Sequence, residues 1–502
     1  MNEPLPELPP VVALGPARVT AGLADAERLD RRAHLAVHGG PPRLTESQLA
    51  LLAQAVALRG RGGAGFPFAR KLRAVGDAVR RRGVRPAVVV NGCEGEPACR
   101  KDTVLLARAP HLALDGALLA ASALGARTLV VAVTRACTES SVRAALAERG
   151  LSDRRGRAVR ARVVRLPERL VSGESAALLR AADGGPALPP GHHPRAAEAG
   201  LAGMPTLLSN AETFAQLALA ARLGAPGYAA TGFPGEPGTL LLTVSGAVPA
   251  PCVVEAPGGV PLPEVLRWCG APGAVQGVLV GGYHGAWLDA AAAGRAVLAR
   301  DAPAALGGTL GAGALLPLPL DSCPLGEAAR VARWLAGESA GQCGPCRVGL
   351  PALAGALEEL AGGGAAGEAA LRQMAGAVRG RGACGHPDGA ARFVLSALDA
   401  FPDDLAAHLG GGGCGRPTAG VLPLPATGAE PEAAEERLAV DWTLCEGHGL
   451  CAGLLPELVR MGADGYPAPA DTAVPRRLRG RAQRAVSRCP ALALRLERHQ
   501  MH

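Results

Sequence analysis

The sequence predicts a multidomain α/β protein, and three observations lead there. At 502 residues the chain exceeds what one hydrophobic core ordinarily organises, so three or four domains are expected. Between residues 87 and 166, short apolar runs rich in valine alternate with helical stretches, the pattern of a mostly parallel sheet layered with helices. Thirteen cysteines without a secretory leader point to reduced thiols and metal ligation, not to a disulfide framework.

Taken in order, Thr45-Glu-Ser-Gln48 is a capping-box pattern that opens an apolar helix running to about residue 58. A glycine-rich loop follows, then a helix over 69–82. Strands are expected at 87–91, 128–133 and 160–166, with a helix at 112–124 between the first two. From residue 238 the pattern changes. Runs at 240–245, 252–255 and 277–280, with a short helix at 263–268, suggest a small β-rich domain. Residues 324–408 read as mainly helical. Gly, Pro, Ala and Glu dominate 410–437, which reads as a linker, and the remainder as a separate module. The expected domains are therefore 1–236, 237–322, 323–409 and 438–502, with the linker at 410–437.

Composition narrows the function classes. No apolar run reaches the length of a membrane span, and the acidic, proline-rich start does not read as a signal peptide. A cytoplasmic chain, or one peripheral on the inner face of the membrane, is expected. The net charge of +8 comes from scattered arginines. Arg80-Arg81-Arg82 and Arg476-Arg477 read as solvated faces, and no aromatic ladder accompanies them, so nucleic acid is not an expected partner. Such patches suit an acidic electron-transfer partner instead.

Of the 52 basic Lys and Arg residues, only Lys71 and Lys101 are lysines. Both lie in one stretch, beside Arg59-Gly-Arg-Gly-Gly-Ala-Gly-Phe-Pro and beside Asn91-Gly-Cys-Glu-Gly-Glu-Pro. A compact ammonium is not interchangeable with a planar guanidinium, so the stretch marks a candidate site. Gly60-x-Gly62-x-x-Gly65 satisfies a dinucleotide glycine pattern but follows a helix where a strand is usual. It precedes a helix, so its amides, together with Lys71, suit a phosphate. Glu94 and Glu96 stand where an α/β sheet places ligands, at the carboxyl end of a strand, and suit sugar or ribityl hydroxyls. Lys101 is expected to pair with Asp102 or Glu96.

These two loops are followed in order by Gly173-Glu174 and by Gly203-x-Pro-Thr-x-x-x-Asn210-x-Glu212-Thr213. The combination resembles the NADH-oxidising FMN and iron–sulfur subunit of the complex I family and of soluble hydrogenases and formate dehydrogenases. The resemblance implies an FMN-binding α/β domain, a β-grasp-like (SLBB) domain, a helical bundle with an iron–sulfur loop and, at the C-terminus, an α+β ferredoxin. It implies FMN contacts at Gly60, Arg61, Gly62, Gly63, Lys71, Asn91, Glu94, Glu96, Glu174 and Asn210, with NAD(H) as substrate and Phe66 kept among the aromatics that stack on its adenine. This chain departs from the pattern at Cys93, where the family usually has Asp, and at Ser175 and Ser209. Aromatic positions that would stack on NADH fall on Ala74 and Arg195. Cys93 reads either as a small buried hydrophobe or as a redox-active thiol.

Glu338-Ser-Ala-Gly-Gln-Cys343-Gly-Pro-Cys346-Arg, with Cys384 in Ala-Cys-Gly-His-Pro-Asp, is similar to the family's four-cysteine cluster loop, with Ala340 in place of the first cysteine. Three readings stay open: a 3Fe–4S cluster, a 4Fe–4S cluster completed by Ser339, His386, Asp388 or water, or a vestigial site. Cys323 is a poor replacement, because a helix over 324–337 would separate its ends by about 20 Å. Cys137, Cys252, Cys269 and Cys414 lack ligand spacing.

In the last module, Cys445-Glu-Gly-His448-Gly-Leu-Cys451 and Cys489-Pro490 resemble single-cluster bacterial ferredoxins, with His448 where a second cysteine is usual. A 3Fe–4S cluster on the three cysteines, or a 4Fe–4S cluster with His448 as fourth ligand, is implied. The whole implies an NADH dehydrogenase or diaphorase-like oxidoreductase. It would pass electrons from NADH or another donor, through FMN and two iron–sulfur centres, to an electron-transfer protein or membrane redox complex. No side chain needs to act as general acid or base. The alternatives are exchange with a membrane cytochrome or quinone-linked partner, and a non-catalytic scaffold.

Overall fold

In the computed structural model, residues 8–151, 159–191, 193–299, 310–364, 366–425, 436–468, 471–475 and 478–498 are described. The Arg476-Arg477 pair and part of the expected linker lie outside them. The chain forms two compact units, one ending at Leu424 and one starting at Pro425.

In the first unit, four strands form an all-parallel sheet in the order Arg160–Arg165, Thr128–Val133, Ala87–Gly92, Thr206–Asn210. The apolar runs of the two central strands are buried on both faces, as a parallel sheet between helices requires. The second and third strands in chain order lie on one side of Ala87–Gly92 and the fourth on the other. The strand order therefore reverses beside Ala87–Gly92, where open α/β sheets place ligands. Register aligns Asn91 with Asn210 at that edge. The strand Thr206–Asn210, which carries Asn210, was not apparent from the sequence.

The helix expected after Thr45 spans Glu46–Ala55, with both halves of the capping box formed by Thr45 and Gln48. It stops short of residue 58 because the chain turns at Ala57, whose φ is 45°. The arginine cluster ends the helix Phe68–Arg82. Its side chains meet local partners: Arg80 on Glu46 and Asp77, Arg81 on Glu198, Arg82 on the carbonyls of Glu198 and Gly203.

A second, mixed sheet has the order Val11–Ala13, Cys252–Pro257, Thr239–Val244, Ala314–Leu318, Gly277–Val280, Ala286–Asp289. Chain order assigned Val11–Ala13 to the first domain, but it is an edge strand of this sheet, parallel to Cys252–Pro257. The segment after it is fixed by buried Glu255, whose carboxylate accepts the amides of Arg18, Val19 and Thr20 and the hydroxyls of Thr20 and Thr239. Five helices follow: Pro324–Gly337, Leu350–Ala361, Glu368–Val378, His386–Ala400 and Pro402–Leu409. They share a core with Leu279, Tyr283 and Trp287 of the mixed sheet.

Residues 410–424, which composition assigned to the linker, belong to the first unit. The buried Glu327 carboxylate accepts the amides of Gly420, Val421 and Leu422. The connection is therefore shorter at its start than glycine content suggests.

The second unit is an antiparallel three-stranded sheet, Asp471–Ala473, Glu436–Val440 and Leu494–Arg498, with helices Leu450–Leu454 and Arg479–Arg488 packed on it. No single helix among the described residues is long and apolar enough to cross a membrane. The bent pair Lys101–Arg108 and Pro110–Leu124 would suffice by composition, but its residues are mostly buried in the protein.

Candidate functional site

A cavity of about 850 Å³ opens at the carboxyl edge of the parallel sheet. Gly62 and Gly63 line it, together with Asn91, Glu94, Glu96, Glu174 and Asn210, and Cys384 completes the wall. Gly63 has a φ of 114° and open space where a Cβ would stand, so a side chain there would be strained and would project into unfilled volume.

The acidic and amide side chains are held firmly. Both oxygens of Glu94 accept amides of the first turn of Lys101–Arg108, at 2.8 Å from Asp102 and 2.7 Å from Thr103. Glu174 caps the helix Ser175–Ala182, accepting from Ala176 and Ala177. Asn210 caps the helix Ala211–Ala229 and donates to Asp102. Asn91 donates to the Gly173 carbonyl and accepts from the Cys93 amide. Each therefore presents a fixed edge to the cavity.

Other expected contacts fall elsewhere. The Arg61 guanidinium is buried against Glu236 at 2.6 Å, and neither Arg61 nor Gly60 lines the cavity. The Gly60 amide instead closes the loop onto the Phe66 carbonyl. Phe66 is half exposed and likewise outside the lining. Lys71 donates to the Leu208 carbonyl at 2.8 Å, two residues before Asn210. Burial pulls its pKa down, and no carboxylate among the described residues lies within ion-pair range. An ammonium so placed suits an anion. Burial pushes the Cys93 thiol well up, which favours a neutral thiol over a reactive thiolate.

Lys101 pairs with Asp102, as the sequence suggested, at 3.0 Å. Its second partner is Glu212 at 2.8 Å, not Glu96. Glu96 accepts from the Tyr283 amide at 2.8 Å. Burial raises its carboxyl to about 7, opposed by that amide and reinforced by Glu94. A carboxyl raised on folding gives stability that is complete below its unfolded value of about 4.3 and is lost as pH rises through 7. Glu96→Gln keeps the acceptor and removes the charge. It should raise the melting temperature of flavin-free protein at pH 8 and flatten the profile between pH 5 and 8, corresponding to about 3 kcal/mol. An unchanged slope in calorimetry would assign the pH dependence to other groups.

Cys343, Cys346 and Cys384 lie close enough to act electrostatically on one another. The backbone at Ala383 favours the Cys343 thiolate, and that at Ala340 the Cys346 thiolate, which suits sulfur ligands of a cluster. Of the candidate fourth ligands, His386 has both ring nitrogens engaged, with the Leu335 carbonyl at 2.9 Å and His284 at 3.0 Å. One oxygen of Asp388 takes the Gly380 amide.

In the second unit Cys445, Cys451, Cys489 and His448 line one small pocket. Cys451 is buried, which raises its thiol, and the neighbouring Cys445 and Cys489 add to that. Three sulfurs and an imidazole around one pocket fit a single cluster.

Residues 53–219 match the Nuo51 FMN-binding domain, 326–408 the NADH-ubiquinone oxidoreductase-F iron–sulfur binding region, and 438–496 the 4Fe–4S single cluster domain. The F subunit of NADH-quinone oxidoreductase from Mycobacterium bovis is 31% identical over 380 residues, covering 71% of this chain and 83% of that protein. The chain belongs to the family of NADH-quinone oxidoreductase F subunits. A second such protein, one of two in Rhizobium meliloti, is 29% identical over 380 residues, covering 73% of this chain and 89% of the relative. The fold is also that of an NAD⁺-reducing [NiFe]-hydrogenase in its H₂-reduced state, with a TM-score of 0.65 and 30% identity. That match covers 72% of this chain but only 63% of the hydrogenase chain. The family assignment thus covers the first unit, and the second carries an additional single-cluster ferredoxin domain.

Proposed function

We propose that the chain is an NADH dehydrogenase-like electron-transfer flavoprotein. Electrons from NADH pass through FMN, the Cys343/Cys346/Cys384 centre and the tethered ferredoxin to an external acceptor. The observation that carries this reading is the shared cavity: the glycine loop, the Glu94–Glu96 loop and Cys384 stand on its walls, so the flavin and cluster residues border one space. FMN, when bound, supplies hydride acceptance and single-electron release.

The chain's own residues supply position and exclusion of water. Gly62 and Gly63 leave room for the flavin, Asn91, Glu174 and Asn210 orient it, and Lys71 meets its phosphate. Glu94 acts by fixing the helix Lys101–Arg108. Arg61 acts through Glu236, holding the loop. The mixed sheet with the helix Leu262–Trp268 corresponds to the β-grasp-like (SLBB) domain, and the five helices to the cluster-bearing bundle. Cys445, Cys451 and Cys489 hold the second cluster, with His448 as fourth ligand in a 4Fe–4S form. The acceptor is an electron-transfer protein or a membrane redox complex, reached from the cytoplasm or from the inner face of the membrane.

Anaerobic titration tests the donor. NADH should bleach the flavin absorbance and support dye reduction; flavin-loaded protein that NADH leaves oxidised would remove NADH from the scheme. Lys71→Arg should weaken FMN retention by about tenfold or more, because a fork-shaped cation does not fit the compact position beside Leu208. Full flavin occupancy in that variant, measured after desalting, would place the phosphate elsewhere.

A further inference from the structure

Three side chains that the flavin and cluster residues do not use meet at the start of the helix Pro324–Gly337. Cys323 is its N-cap, 2% exposed, with its sulfur 3.3 Å from Nε2 of His408. His408, 3% exposed, lies in the last turn of the helix Pro402–Leu409, and Cys414 follows in the next loop. One ligand atom from each residue lies within 4.8 Å of the other two. We infer that Cys323, His408 and Cys414 bind a single zinc-class divalent ion through two sulfurs and one imidazole.

The donor set selects the class of ion. Two thiolates and an imidazole suit zinc and its soft neighbours and disfavour magnesium and calcium, which take oxygen ligands. The spacing selects a mononuclear site. Ligands about 2.0–2.3 Å from a tetrahedral ion stand roughly 3.5–4 Å from one another. Three atoms mutually within 4.8 Å are near enough to close on one ion with small side-chain adjustments. The ring is also in a usable form: the Cys414 amide donates to Nε2 at 3.3 Å, so the nitrogen facing Cys323 carries the lone pair. Both contacts to Nε2 are long, and neither competes strongly with a metal bond.

The scaffold is organised apart from any ion. The Cys323 amide donates to the Pro417 carbonyl at 2.8 Å, and its sulfur accepts the Gly326 amide at 3.2 Å. Glu327 holds the stretch of chain beyond it through Gly420, Val421 and Leu422. Zinc binding releases the two thiol protons to solvent and leaves the fourth tetrahedral position to water. The ion would lock the loop carrying Cys414 onto the first helix of the bundle, at the root of the connection to the second unit.

The test uses the full chain purified without oxygen, with zinc and iron measured together. About one zinc per chain is expected, with a zinc-edge absorption spectrum showing two sulfurs at about 2.3 Å. His408→Gln and Cys414→Ser should each cut zinc to about a tenth with iron and flavin retained, and Cys384→Ser should lower iron and leave zinc. Zinc absent both as purified and after addition of Zn²⁺ to the reduced protein overturns the inference. So does zinc retained in both variants, or a Cys323–Cys414 disulfide. Should the variants not fold, alkylation mapped by mass spectrometry decides on the unaltered chain. Zn²⁺ should protect Cys323 and Cys414, and equal labelling with and without it overturns the site.

Discussion

Replacing Lys101 with methionine should destabilise the first unit by about 3–5 kcal/mol, the cost of leaving buried carboxylates without their cation. The ammonium is 1% exposed and lies between Asp102, 3% exposed, and Glu212, 1% exposed. Burial alone would push its pKa down, but Asp102 and Glu212 outweigh it and hold it above the ordinary lysine value. Burial would raise Glu212 in turn, but Lys101 and Arg61 face it, and its carboxyl lies below its usual value. Asp102 goes the other way, with burial raising it to about 6 despite Lys101. A lysine shared by two acids at one site leaves Glu212 as the firmly ionised partner.

The network is also architectural. Asp102 accepts from Asn210 and from the Glu212 amide, and Glu212 accepts from the Leu241 amide. It thus joins the switch point of the parallel sheet to the mixed sheet. The denaturation midpoint of Lys101→Met should fall and flavin content with it. Adding Glu212→Gln should recover part of the loss, because the pair is coupled. Independent, additive effects of the two substitutions would mean that the ion pair does not hold this junction together.

What the sequence disclosed follows from what local patterns encode. The strand 128–133 and the start of the strand at residue 87 agree with the expected bounds, because valine-rich runs between breakers specify a buried strand locally. The glycine loop and Asn91, Glu94 and Glu96 border the cavity because the carboxyl end of a parallel strand is where such a fold opens. Partners distant in the chain were not legible. Lys101 meets Glu212 across 111 residues, Arg61 meets Glu236 across 175, and Cys323 meets His408 across 85. Val11–Ala13 gives no local sign of pairing with Cys252–Pro257. Periodicity reports which face of an element is apolar, and says nothing about which far segment covers it. Glu94 and Glu174 illustrate a related limit: strand-end position for the one and family resemblance for the other suggested ligand contacts, whereas their oxygens first satisfy helix N-termini.

Ala340→Cys should raise the iron content of the first unit by about one or more per chain and yield a reduced 4Fe–4S signal in electron paramagnetic resonance. The loop is already shaped for it. Cys343, Cys346 and Cys384 act electrostatically on one another, and the backbone at Ala340 favours the Cys346 thiolate. A methyl group supplies no electron pair to iron, so the native site relies on three sulfurs plus whatever else reaches it. His386 is bound at both ring nitrogens, and turning it would cost its contacts to Leu335 and His284. Asp388 would have to release Gly380 or use its remaining oxygen. These competing bonds disfavour closure by His386 or Asp388 and leave a three-iron centre or one completed by water or Ser339. A fourth thiolate should therefore add iron and lower the cluster's potential, since an anionic sulfur stabilises the oxidised form. Ala340→Ser is the matched control and should change iron content far less. If iron content and spectrum were the same in Ala340→Cys as in the native chain, the site would hold either a closed four-iron cluster already or none in both.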